Sequence, residues 1–196
     1  MKKSIIVIIV IVAVLFIAYS MFKGTYNNMV TKGEQVTSQW AQVENVYQRR
    51  ADLIPNLVNT VKGFADQEQE VLIGVVEARA KATSVNIDPT NITEANMQAF
   101  QQAQEGLSGA LSRLMVVVEK YPDLKSNQNF LELQSQLEGT ENRITVERQK
   151  FNDTTRDYNT YLKKFPQTLF AGMFGFEVKP YFEAVKGSEI APKVEF

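Results

Sequence analysis

The chain has 196 residues, carries a formal net charge of −1 and contains neither cysteine nor histidine. Those two absences remove disulfides, thiolate nucleophiles, Ser-His-Asp and Cys-His constellations, and the Glu-x-x-His metal sites of helical bundles. Basic and acidic residues are mixed along the chain without a basic stripe, which argues against nucleic acid as a partner.

The N-terminus reads Met1-Lys2-Lys3-Ser4, followed by a run without charge from Ile5 to Phe22. A helix there is about 27 Å long, just enough for a hydrocarbon core of about 30 Å. Tyr19 lies where an interfacial aromatic is expected. Ala18-x-Ser20 offers the small residues of a signal-peptidase site. The Ile/Val-rich run has no helix breaker before that point, however, and more helix follows, so a retained anchor over 1–23 is expected. Lys2 and Lys3 precede the run and Lys23 and Lys32 follow it. Positive-inside bias thus favours a single-pass protein of the inner, cytoplasmic membrane with an extracytoplasmic bundle.

Beyond Gly24, apolar residues recur every three or four positions, the mark of amphipathic helices. The first stripe is Tyr26, Met29, Gly33, Val36, Trp40, Val43, Tyr47. The second is Leu57, Val61, Phe64, Glu68, Val71 or Leu72, Val75, Arg79. A loop at 83–92 contains the turn formers Asp88-Pro89 and Asn91. Thr93-Glu94 opens a third helix with a weak capping signal, short of a full capping box. Its stripe runs from Met97 through Phe100, Gln104, Leu107, Leu111, Leu114 and Val118 to Tyr121, and Pro122 ends it. A fourth helix begins near 125–129 and holds a 3.5-residue spacing from Phe130 to Phe165. An all-α fold follows: an antiparallel bundle of about four long helices over 24–165, with an apolar segment and tail over 166–196.

Pro55 is read in two ways. It suits the first turn of a new helix, yet the stripe stays in phase through Tyr47, Arg50, Ile54, Leu57 and Val61, which favours one continuous, kinked helix. The choice bears on the eight apolar residues Leu169–Phe176. With a new helix at Pro55 the fourth helix ends beside the bilayer; with a continuous one it ends far away, and the segment closes the distal core. The in-phase stripe favours the distal arrangement.

Several motifs resemble the LemA family of bacterial membrane proteins: Trp40 with Arg49-Arg50-x-Asp52-Leu53-Ile54-Pro55-Asn56-Leu57-Val58, Tyr121-Pro122-Asp123-Leu124-Lys125, Glu138-Gly139-Thr140-Glu141-Asn142-Arg143-Ile144, Asp157-Tyr158-Asn159 and Phe165-Pro166. The resemblance implies an N-terminal transmembrane helix bearing a helical bundle of undetermined biochemical function, with no catalytic residues to carry over. Family members are often described with a cytoplasmic domain, against which the Lys2-Lys3 pair argues.

Candidate interaction or structural residues are Arg49, Arg50, Asp52, Pro55, Glu141, Arg148, Phe170 and Phe174. Asp52 is expected to cap a helix beginning at Pro55. Arg50 stands on the apolar stripe, where an unpaired charge is costly, so a carboxylate partner across the bundle is expected; the alternative for Arg49, Arg50 and Asp52 is an exposed anion or partner site at the helix junction. Thr140, Glu141, Glu147 and Arg148 are expected to form a polar layer that sets register. They are not expected to hold a metal, because Arg143 and Arg148 repel cations. Gly106 and Gly109 suggest close approach of a neighbouring helix, within the bundle or between protomers, the former being favoured. Phe170 and Phe174 belong to the segment that either closes the core or docks elsewhere.

The class expected from these residues is a membrane-anchored scaffold, assembly or accessory protein of the envelope, acting on itself or on other membrane proteins. No enzymatic activity, cofactor, metal or small-molecule substrate is expected. An envelope sensor with a ligand in a bundle groove is the alternative.

Overall fold

The structure, a computed structural model, describes residues 2–183. Its elements in chain order are α1 (Lys2–Lys62), α2 (Gln69–Ser84), α3 (Glu94–Val118), α4 (Pro122–Lys125), α5 (Gln128–Lys163) and α6 (Gln167–Phe174). No strand occurs among the described residues. Residues 184–196 of the expected tail lie outside them.

α1 begins in the charge-free run and continues without interruption into the bundle. Its apolar part is exposed and is long and apolar enough to cross a membrane. The helix also runs straight through Pro55. Proline has no N–H to donate, so the carbonyl four residues earlier, at Ala51, loses its helical partner. The Arg79 side chain of α2 supplies the missing donor, Nε to Ala51 O at 2.7 Å. A tertiary hydrogen bond thus replaces the helical one and keeps the buried carbonyl satisfied.

The chain turns at Gly63–Glu68, not at Pro55. The expected second helix from Leu57 to Arg79 is therefore divided between the end of α1 and α2. Ala65 is buried in this turn while Phe64 is exposed, so the apparent stripe through Phe64 and Glu68 does not face the core. Asp52 caps nothing, since no helix starts beside it. It is exposed and accepts from Gln48 Nε2 at 2.7 Å.

The other ends are better signalled. Thr93 Oγ1 accepts from Asn96 N while Asn96 Oδ1 accepts from Thr93 N, a full capping box in which Asn replaces the usual Glu or Gln. Asn127 caps α5 through Phe130 N, and α6 stops at Gly175, whose φ of +73° suits glycine.

α5 runs antiparallel along α1. Tyr161 Oη donates to Thr25 O, Gln39 Nε2 to Glu147 Oε2, and Arg50 Nη1 to Glu141 Oε2, in ascending order from the apolar end. The α2–α3 hairpin packs on this pair, with α2 against α1. On α1 the buried positions Val36, Trp40, Val43, Tyr47, Arg50, Ile54, Leu57 and Val61 keep a three-four alternation, with Met29 one heptad before Val36, the spacing that faces one helix along another.

Four passes bring the end of α5 back to the apolar end of α1, and α6 packs there. Phe22 meets Phe170 and Phe174 at ring-centroid distances of 5.4 and 5.2 Å, and Tyr26 meets Phe174 at 5.0 Å. The expected distal position of Leu169–Phe176 is thereby overturned. A continuous helix at Pro55 does not shorten the circuit, because the turn omitted there occurs ten residues later. Gly106 and Gly109 are exposed, and a Cβ on either would meet nothing. They serve no close approach within the bundle.

Candidate functional site

The buried residues form two apolar clusters, and a polar layer separates them. The cluster nearer the apolar end contains Met29, Trp40, Tyr47, Phe100, Ile144 and Phe151; the distal one contains Ile54, Leu57, Val75, Leu107, Leu114 and Leu137. Between them, Arg50 of α1, Gln104 of α3 and Thr140 of α5 are all buried.

Arg50 reaches the layer from a core position of α1 and is 3% exposed. Its Nη2 donates to Gln104 Oε1 at 2.6 Å and to Gln104 O at 3.4 Å; its Nη1 donates to Ser108 Oγ at 3.1 Å and Glu141 Oε2 at 2.9 Å. Gln104 Nε2 in turn donates to Ala82 O at 3.2 Å, so one network ties α1, α2, α3 and α5. The guanidinium also lies 5.1 Å from the Tyr47 ring centre. Burial pushes the Tyr47 phenol up, against the opposing charges of Arg148 and Arg50. Glu141 is 56% exposed, so the carboxylate facing Arg50 remains hydrated. The arrangement joins four helices at one level through hydrogen bonds of fixed direction.

The remaining residues of the expected layer are elsewhere. Glu147 accepts from Gln39 and from Lys150, and the Lys150 bond holds its carboxyl below the usual range. Arg148 donates through Nη2 to Glu183 O at 2.9 Å, with its guanidinium 4.7 Å from the Phe182 ring centre. Arg49 and Pro55 are exposed on α1. Among the described residues no cluster of three acidic side chains could hold a metal ion.

Arg148 belongs to a feature that sequence reasoning missed. After Gly175 the chain returns along α5 as an extended strap, residues 176–183. Asn159 donates to Lys179 O at 2.8 Å and accepts from Lys179 N at 2.9 Å; Asn152 donates to Phe182 O at 3.0 Å and accepts from Phe182 N at 2.8 Å. Seven helical residues rise about 10.5 Å, and three extended residues span about 10 Å. The two asparagines therefore grip the strap at matching intervals, each pairing with both polar groups of one backbone residue. Phe182 is buried, stacked on Trp40 at 5.8 Å and edge-on to Phe151 at 5.4 Å. The sequence signal was Asn152 and Asn159 spaced seven apart on one face.

Between the strap, the start of α3 and the lower part of α1 lies a groove of about 1030 Å³, lined in part by Tyr26, Gly33, Glu34, Met97, Tyr158 and Lys179. Lys179 is half-buried; desolvation lowers its pKa, while Glu34 and Asp88 oppose that shift. Its Nζ donates to Pro89 O at 3.2 Å. The groove lies on the face of the lower bundle that α2 does not reach.

The fold and these features define a helical bundle built on a long apolar-tipped helix, locked by a central arginine layer and closed by a C-terminal strap. A model described as the LemA family matches residues 39–196, and the chain belongs to the LemA family. It is 28% identical to magnetosome protein MamQ 2 of Paramagnetospirillum magneticum over 92% of this chain and 72% of the relative. It is 27% identical to MamQ of Magnetospirillum gryphiswaldense over 80% of this chain and 64% of that protein. Protein LemA of Metamycoplasma hominis is 21% identical over 76% of this chain and 64% of its own length.

Proposed function

We propose that the chain is a membrane-tethered scaffold or accessory protein that works through its helix surfaces on other membrane proteins or on further copies of itself. The observation that carries this reading is the continuity of α1. The helix with the exposed apolar run is also the one whose stripe organises the bundle core, so the surfaces of the bundle are held at a fixed height above the run. A rigid post of this kind suits positioning. The absence of His and Cys supports a non-catalytic role, and both MamQ relatives are named as magnetosome proteins, not for a reaction. Crosslinking in native membranes, followed by identification of co-purifying chains, tests the proposal. Recovery of the protein alone, free of copies and partners, would overturn it.

Lys2 and Lys3 ahead of the run support an inner-membrane location with the bundle outside the cytoplasm. A reporter fused after Phe196 that is active only outside the inner membrane is the expected result, and activity of a cytoplasmic reporter refutes the orientation. The groove supports a second reading, an envelope sensor that binds a ligand there. A small molecule that raises the melting temperature of the full chain, and no longer does so in Lys179→Met, would favour that reading.

A further inference from the structure

We propose that α6 is a second membrane contact, lying in the bilayer interface beside the point where α1 emerges. The inference rests on the reading of residues 5–22 as a membrane span. From Gln167 to Phe176 the chain carries no charge. One face of α6, with Phe170, Ala171 and Phe174, is occupied by its packing on the bundle and on Phe22 and Tyr26. A second face is unpartnered: Leu169 and Met173, one turn apart, are 61% and 69% exposed, and Phe165, just ahead of the helix, is 80% exposed. An apolar ridge of this kind in water calls for an occupant.

Two observations identify it as lipid. Phe22, which α6 grips, is the last residue of the apolar run, so the ridge is continuous with the surface that faces hydrocarbon and sits at the depth of the headgroup boundary. Lys23, Lys163 and Lys164 surround that level, all exposed, and one exposed carboxylate, Glu177, follows Phe176. Apolar side chains beside lysines match an interfacial segment against anionic headgroups. The ridge and the anchor together give the bundle two contacts with the membrane, which fixes its rotation about α1 and the direction in which the groove faces.

The natural chain contains no cysteine, so single substitutions can carry a unique spin label. Leu169→Cys, Met173→Cys, Phe16→Cys in the span and Val146→Cys on exposed α5 are placed in the full chain and reconstituted into vesicles with and without phosphatidylglycerol. Accessibility to oxygen against a water-soluble nickel complex is then read. The expected result is an oxygen preference at 169 and 173, intermediate between Phe16→Cys and Val146→Cys. Phosphatidylglycerol should shift it further toward oxygen, and Lys163→Gln with Lys164→Gln should abolish that shift. A deep label at 16 with fully aqueous labels at 169 and 173 overturns this proposal and leaves the anchor standing. An aqueous label at 16 overturns the anchor reading itself. Labels at 169 and 173 shielded from both reagents, with spin–spin broadening, identify a second copy as the occupant and also overturn it. An immersion indifferent to phosphatidylglycerol removes the role given to the lysines.

Discussion

The Arg50–Gln104 pair gives the sharpest test of the polar layer, because its two truncations strand different groups. In Gln104→Leu the buried guanidinium keeps Ser108, Glu141 and the 104 carbonyl but loses its 2.6 Å bond, and Ala82 O loses a donor. A hydrogen bond to a charged group contributes roughly 1.5–3 kcal/mol and a neutral one about 1, so the cost is about 3 kcal/mol. In Arg50→Met the charge itself leaves. Glu141, half-exposed, returns to water at little cost, and the main penalty is the orphaned Oε1 of Gln104, about 2 kcal/mol. The double variant strands neither side chain and fills the layer with apolar volume, so it should lose about 2 kcal/mol, well short of the sum. The expected coupling is therefore about 3 kcal/mol. Urea unfolding of the full chain in detergent, followed through the fluorescence of the single tryptophan, Trp40, which is fully buried, measures all four proteins. Additivity within about 0.5 kcal/mol would show that the two side chains act independently and refute the layer as a coupled unit.

Arg79→Ala should cost about 1–2 kcal/mol by leaving Ala51 O without a donor, and Pro55→Ala should recover most of that loss by restoring the helical bond; no recovery in the double variant refutes the account of Pro55. Phe182→Ala should cost about 3–4 kcal/mol and shift Trp40 emission to the red, since its stacking partner is gone; an unchanged emission maximum counts against the strap. Removing both Asn152 and Asn159 should loosen residues 176–183, read as faster hydrogen exchange there and not in α3. The raised Tyr47 pKa means that the folded chain holds a proton the unfolded chain releases. Its contribution is present in full below the unfolded value near 10 and is lost as pH rises through the higher folded value. Tyr47→Phe should therefore flatten the alkaline fall in stability, and an identical fall in both proteins would remove that assignment.

Much of this architecture is legible in the residues because core positions repeat. Trp40, Val43, Tyr47, Ile54 and Leu57 carry a spacing that only a helix satisfies, and Arg50 within it demands hydrogen-bonding partners. The features that escaped have no period. Arg79 stands on a stripe and reads as a break in it, whereas its function is set by a proline on another helix. Asn152 and Asn159 read as ordinary polar positions on α5 because their partners are backbone groups of an extended segment far along the chain. The stripe through Phe64 and Glu68 kept its phase by coincidence across a turn, and Ala65, too small to register as a core residue, fills the core there instead.

Helix length explains why the lower bundle needs a strap at all. α1 extends about 58 Å above Gly24 and α5 is about 54 Å long, whereas α2 is about 24 Å and α3 about 38 Å. α2 ends near the polar layer, where Gln104 meets Ala82 O, and the first buried residues of α3, Met97 and Phe100, lie only two turns and one turn below it. Between the start of α3 and α6, one side of α1 and α5 therefore has no helical cover, and Trp40, met by Phe100 on its other side, would stand open there with Phe151. Ile87 and Ile92 of the connecting loop cover part of it, and Phe182 of the strap closes the rest. A side chain delivered by an extended segment covers less width than a helix does, and the difference remains as the groove beside Tyr158 and Lys179. The groove is thus a consequence of unequal helices, and lengthening α2 by two turns at Ser84 should fill it and expel the strap. Trp40 would then keep its blue emission while Phe182 became accessible to protease; a strap still protected in the lengthened chain would show that its seat lies elsewhere than in the space α2 leaves.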